Sequence, residues 1–148
     1  MMSAVELAKN IIVYAGMHDH QITNLKLQKM LYYVQGYFSA KFGKDLFEED
    51  LVNWAYGPVV PAVYYEYCSY GASAIKPEAL SKLFNGLTDK QTRYICKILD
   101  KCLDYTAREL VSMTHAEAPW QNTSRNQVIE KAKLQKFFQS QDPLKLAT

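Results

Sequence analysis

The chain has 148 residues, 49% hydrophobic and 22% charged, with six Gly and five Pro; that is enough to bury a core without staples and the wrong composition for a linker or a disordered tail. The formal net charge is +2, and Lys41 and Lys44 are offset by Asp45, Glu48, Glu49 and Asp50, so the massed basic element of a duplex-binding module is absent and no nucleic-acid partner is expected. Glu6 and Lys9 interrupt the first apolar stretch and no run of about 20 apolar residues follows, which argues against a leader or a membrane span; three Cys, odd in number, read as free thiols in a reducing cytoplasm.

Four helix starts share one signature. Ser3 with Glu6, Thr88 with Gln91, Thr106 with Glu109 and Ser124 with Gln127 fit the capping box, in which a hydroxyl and a carboxylate or amide satisfy orphan backbone donors. The first helix carries Val5, Ala8, Ile11, Ile12 and Ala15 on one face and can stop at Gly16. His18-Asp19-His20 then reads as a surface loop, because two His without a third ligand do not make a metal site. The second helix starts at Thr23 or Asn24. Its apolar stripe is Leu27, Met30, Leu31, Val34, Phe38 and Phe42, which leaves Lys26, Gln28, Lys29, Tyr32, Gln35 and Tyr37 on the other faces.

Leu46, Phe47, Leu51 and Val52 read as a short strand leading into Asn53-Trp54-Ala55-Tyr56-Gly57-Pro58. Gly57 tolerates positive φ and Pro58 suits a first helical position, so the chain is expected to turn there, bury Trp54 and run as a helix to about Gly71. Residues 72–86 give a weak signal, with Ile75 a candidate strand residue and 77–84 a candidate short helix. Helices are expected again from Asp89 to about Tyr105, from Thr106 to His115 and from Arg125 to about Gln139. The last would bury Val128 and Ile129 and carry the basic run Lys131, Lys133 and Lys136 on a solvated face. A frayed tail is expected over 140–148. The fold class is mainly α (α+β): one domain over 1–148, a compact bundle of about six helices with a small strand or hairpin element before the Gly57-Pro58 turn.

Little in the chain suggests chemistry. It has no Gly-rich phosphate loop, paired-Cys metal spacing or nucleophile elbow, and no cofactor or metal is expected. His115 and Glu117 are the one pair with acid/base potential. No nucleophile stands at a fixed spacing from them, so the preferred reading is structural, with both satisfying backbone groups while Trp120 plugs the core. Eight of the eleven Tyr fall between Tyr32 and Tyr70. Tyr joins a large apolar body to a polar tip, which suits a protein interface as well as a core.

Leu25 through Tyr33, then Leu46-Phe47-Glu48-Glu49, Trp54 through Pro61 with Val63-Tyr64, and Thr114-His115-Ala116-Glu117-Ala118-Pro119-Trp120 together resemble the Panacea antitoxin-domain family of SocA-like and phage-associated proteins. The resemblance spans roughly residues 4–138. It implies a helical domain of toxin–antitoxin operons and prophages that neutralises unrelated toxins by direct binding, in one branch as an adaptor that delivers its toxin to a protease, and it brings no catalytic residues. The competing readings are a prophage-encoded binder of a host protein and an enzyme using His115 and Glu117. Helical spacing nominates Lys26, Lys29, Tyr33, Tyr37, Tyr64 and Tyr65 as the partner surface, with Tyr33 and Tyr65 as anchors. The alternative places both rings in the core. Trp54, Gly57, Pro58, His115, Glu117 and Trp120 are read as the structural motif.

Overall fold

A computed structural model describes residues 1–147. The described residues form seven α-helices and one two-stranded antiparallel hairpin. Helix α1 spans Ala4–Met17, α2 Asn24–Phe42, β1 Val52–Trp54, β2 Gly57–Val59 and α3 Pro61–Tyr67, which runs into a single 3-10 turn at Cys68–Tyr70. Helices α4 (Asp89–Leu103), α5 (Ala107–His115), α6 (Ala118–Gln121) and α7 (Lys131–Ser140) complete the order. Of the four expected capping boxes, those at Thr88/Gln91 and Thr106/Glu109 form with both reciprocal bonds. Ser3 and Thr23 cap α1 and α2 with their side chains.

Helix α2 is the centre. It packs against α1, α3, α4, α5, α7 and β2, and every residue from Leu27 to Ser39 is buried. A helix enclosed on all sides should be apolar all round, yet this one carries Gln28, Lys29, Tyr32, Tyr33, Gln35 and Tyr37 inside. The expectation that they lie on outer faces is therefore corrected. Each instead anchors another segment, because a buried polar group without a partner costs about 1–3 kcal/mol. Gln35 accepts from the Leu46 N–H and donates to the Phe47 carbonyl, fixing the loop after α2. Tyr37 donates to Asp142 and accepts from the Leu144 N–H. Leu144 and Leu146 are buried, so residues 142–146 are held down and the expected frayed tail does not occur there.

The stretch from Leu46 to Pro61 differs from its sequence reading. Residues 46 and 47 lie in a loop, and the strand is Val52–Trp54. Gly57 and Pro58 form the second strand of the hairpin and the helix starts at Pro61. The register pairs Val52 with Val59, Asn53 with Pro58 and Trp54 with Gly57 across a turn at Ala55-Tyr56. Pro58 has no N–H to give, and none is needed, because both backbone groups of Asn53 face the other way, its N–H to the Gln127 carbonyl and its carbonyl to the Asn126 N–H. Residues 126–129 thus lie antiparallel along β1, with Ile129 donating to Leu51 and Val52 bridged to Val128. That pairing displaces the expected helix start at Arg125. No capping bond forms at Ser124, α7 begins six residues later at Lys131, and Val128 is exposed. Residues 72–86 form no helix or strand, but Ile75 donates to the Ile22 carbonyl and Phe84 to the Asn10 side chain.

Candidate functional site

Helix α5 ends at His115, and Glu117 precedes α6 as its N-cap residue in extended conformation, with Pro119 in the first turn. This bend turns the Glu117 carboxylate inward. Its oxygens accept from the Tyr32 hydroxyl at 2.9 Å and the Tyr33 hydroxyl at 2.8 Å. Burial raises the Glu117 carboxyl to about 7 against the lowering effect of the two phenols, and the same burial with the same carboxylate raises both tyrosines. His115 stacks on Trp120 with ring centroids 4.1 Å apart. The Trp120 indole N–H donates to the Trp54 carbonyl at 3.0 Å, and the Asn53 amide donates to the Trp120 and Thr123 carbonyls. His115 Nε2 is buried with no hydrogen-bond partner among the described residues. Trp120 is half-buried, joining α6 to the hairpin instead of plugging the core. With both oxygens held by phenols in the interior, Glu117 anchors α6 to α2.

Lys29 is the second buried charge-bearing group, and sequence reasoning misplaced it. Its Nζ donates to the Pro58 carbonyl at 2.8 Å, and desolvation holds the ammonium down at about 7. The stem passes beneath the hairpin at Gly57. There φ is +111°, and a Cβ would stand 2.8 Å from both Lys29 Cε and Thr114 Oγ1. Gly57 is thus required twice, by its backbone conformation and by the close approach of Lys29. Gln28 repeats the pattern one residue earlier, accepting from the Val60 N–H and donating to Asn24, which donates in turn to the Tyr64 carbonyl. The only sequence signal for these roles was that polar residues of α2 interrupt its apolar periodicity on every side.

Above this polar seam lies an exposed aromatic patch. Tyr65 on α3 is 65% exposed and Tyr56, in the hairpin turn two residues from Trp54, is 70% exposed, while Trp54 and Tyr64 are half-buried. Trp54 meets Tyr64 edge-on at 5.0 Å and Tyr65 at 6.3 Å, and the two tyrosines are 5.4 Å apart. The expected burial of Trp54 is corrected to this half-exposed position. Of the six nominated partner residues, the structure brings Tyr64 and Tyr65 together. Lys29, Tyr33 and Tyr37 are in the core and lie on no surface, because α2 is enclosed from every direction. Lys26 is half-buried, its Nζ on the Tyr105 carbonyl at 2.6 Å. Among the described residues no group of three or more His, Cys, Asp or Glu is placed to hold a metal ion, and no helix is long and apolar enough to cross a membrane.

Fold and site together define a helical domain whose buried polar seam fixes a hairpin and a short helix bearing surface aromatics. The chain belongs to the family described as Antitoxin SocA-like, Panacea domain, which it matches over residues 27–121. That region runs from α2 through α6 and contains Lys29, Tyr32, Tyr33, Gly57, Thr114 and Glu117. The chain is similar to Antitoxin SocA of Caulobacter vibrioides (strain NA1000 / CB15N), at 30% identity over 129 residues covering 80% of this chain and 69% of that protein. No solved structure matches it.

Proposed function

We propose that this chain is a stoichiometric antitoxin that neutralises a protein toxin in the cytoplasm by direct contact through the aromatic patch, its residues acting as one binding module. Family membership supports the antitoxin role. The observation that carries the contact is the clustering of Trp54, Tyr64 and Tyr65 at the surface, with exposed Tyr56 two residues from Trp54 in the hairpin turn. Tyr and Trp are enriched among residues that dominate binding energy, since they bring large contact area with few torsions to freeze. Strand addition to the hairpin is a poor alternative. Residues 126–129 cover the outer edge of β1, and the Pro58 carbonyl and Val60 N–H on the β2 side are taken by Lys29 and Gln28.

The test is co-expression with a candidate toxin taken from a small reading frame adjacent to its gene. The wild-type chain is expected to restore growth, including in hosts lacking the ATP-dependent proteases, because neutralisation here is by occupancy. Tyr65→Ala with Tyr56→Ala should leave the thermal melt unchanged and weaken toxin binding at least tenfold, mainly through faster dissociation. Full affinity in that folded double variant places the contact elsewhere, and a rescue that needs the protease replaces occupancy with delivery.

A further inference from the structure

Helix α6 has a second side. Trp120 ties it to the hairpin, while its neighbours Ala118, Pro119 and Gln121 face α7 across a groove of about 600 Å³. Buried Pro119 and half-buried Phe137 give this groove an apolar floor, and exposed Lys133 and Lys136 stand along it. No Asp or Glu lines it. Of the three lysines on this helix, Lys131 is paired with Asp50 at 2.9 Å. Lys133 and Lys136 make no ion pair among the described residues.

The geometry points to the groove between α6 and α7 as a binding site for an acidic, extended segment of a partner protein, separate from the aromatic patch and independent of the reading given to it. Lys133 and Lys136 are three residues apart on one helix face, so their Cβ atoms are about 5–6 Å apart. Alternate side chains of an extended chain recur every ~6.6 Å on one side. Two acidic residues separated by one position therefore reach both ammonium groups at once. An apolar neighbour in the same segment rests on Phe137 and Pro119. The amides of Gln121, Asn122 and Gln141 line the same groove and offer donors and acceptors to the extended backbone. The unpaired positive charge selects an acidic occupant and steers its approach. A phosphate backbone is less suited, because Phe137 is the only aromatic ring in the lining and a strand of bases needs successive rings to stack on.

Random twelve-residue peptides displayed on phage provide the test, panned on the full chain and counter-selected on Lys133→Glu/Lys136→Glu. Peptides with two acidic residues one position apart and an apolar neighbour are expected to be enriched. A labelled peptide from that set should bind wild type at least tenfold tighter than the double variant, weaken as salt is raised to about 0.3 M, and bind Tyr65→Ala as well as wild type. Both lysines are exposed, so the double variant should melt with wild type; should it not, Lys133→Gln/Lys136→Gln carries the same comparison. Failure to enrich any peptide over the variant, enrichment without acidic residues, or equal binding by wild type and variant overturns the site. A single-stranded oligothymidylate that binds more tightly than the peptides and is lost in the same variant replaces the acidic segment with nucleic acid.

Discussion

Substituting Glu117 by Gln should remove one limb of an inverted pH–stability curve. Burial raises the Glu117 carboxyl from its ordinary 4.5 to about 7 in the folded chain. Between those values the folded chain keeps a proton that the unfolded chain has released, so stability is full below pH 4.5 and falls as pH rises to about 7. The fall is worth about 3 kcal/mol at 1.36 kcal/mol per pH unit, a large share of the roughly 5–15 kcal/mol a domain has. Lys29 acts in the opposite window. Its ammonium is held near 7 instead of 10.5, so from pH 7 to 10.5 the unfolded chain carries the extra proton and stability climbs, by about 4–5 kcal/mol. Wild type should therefore be least stable near pH 7. In Glu117→Gln the fall between pH 4.5 and 7 should vanish while the rise above 7 remains. The amide oxygen accepts from one tyrosine and the amide N–H donates to the other hydroxyl, whose own hydrogen then lacks an acceptor, lowering the whole curve by about 1–3 kcal/mol. Urea midpoints measured by circular dichroism from pH 4 to 10 give both curves, and their difference cancels the other carboxylates. Parallel curves between pH 4.5 and 7 would show that Glu117 is ionised in the fold and refute the reasoning.

Gly57→Ala should cost about 2–5 kcal/mol in chemical denaturation, from the positive φ and from a Cβ forced against Lys29 and Thr114; a midpoint unchanged from wild type would mean the hairpin can lift off Lys29 at no cost. Tyr37→Phe removes the donor to Asp142 and the acceptor for the Leu144 N–H, so it should lose about 1–2 kcal/mol and speed amide exchange at Leu144 and Leu146. Exchange there as slow as in wild type would show that burial of the two leucines alone holds the end of the chain.

The helices of this fold were legible because their starts are local. Thr23, Thr88 and Thr106 cap α2, α4 and α5 where the sequence pattern puts them, since a capping bond involves only neighbours along the chain. Ser124 and Gln127 offer the same pattern and fail. Residues 126–129 find a better partner in β1, and that contact is 73 residues or more distant in sequence, as from Asn53 to Asn126. Lys29 and Tyr33 were misplaced for a related reason. Spacing shows which residues share a face, but not that α2 is covered on every face. The family resemblance identified the stretch around Trp54 and that around Glu117, yet nothing local told that Tyr32 and Tyr33 hold one end and Lys29 the other.

The buried seam reaches the aromatic patch through Gln28, and Gln28 thereby offers a way to test holding of the patch apart from the proposed toxin contact. Its side chain accepts from the Val60 N–H, at the joint between β2 and α3, and donates to Asn24, which holds the Tyr64 carbonyl. Gln28 is itself buried and, among the described residues, makes no hydrogen bond to Trp54, Tyr56, Tyr64 or Tyr65. Gln28→Leu fills nearly the same space and leaves the Val60 N–H and one lone pair of Asn24 unsatisfied, at a cost of about 2–5 kcal/mol. If the joint fixes how Tyr64 and Tyr65 are presented, exchange at Val60 should accelerate and toxin affinity should fall in the fraction that stays folded, because freezing a loosened surface opposes binding. The signature is a slower association rate, in contrast to the faster dissociation expected of Tyr65→Ala. Faster exchange at Val60 with wild-type association would show that the patch keeps its shape without the seam, and that the polar residues of α2 serve stability alone.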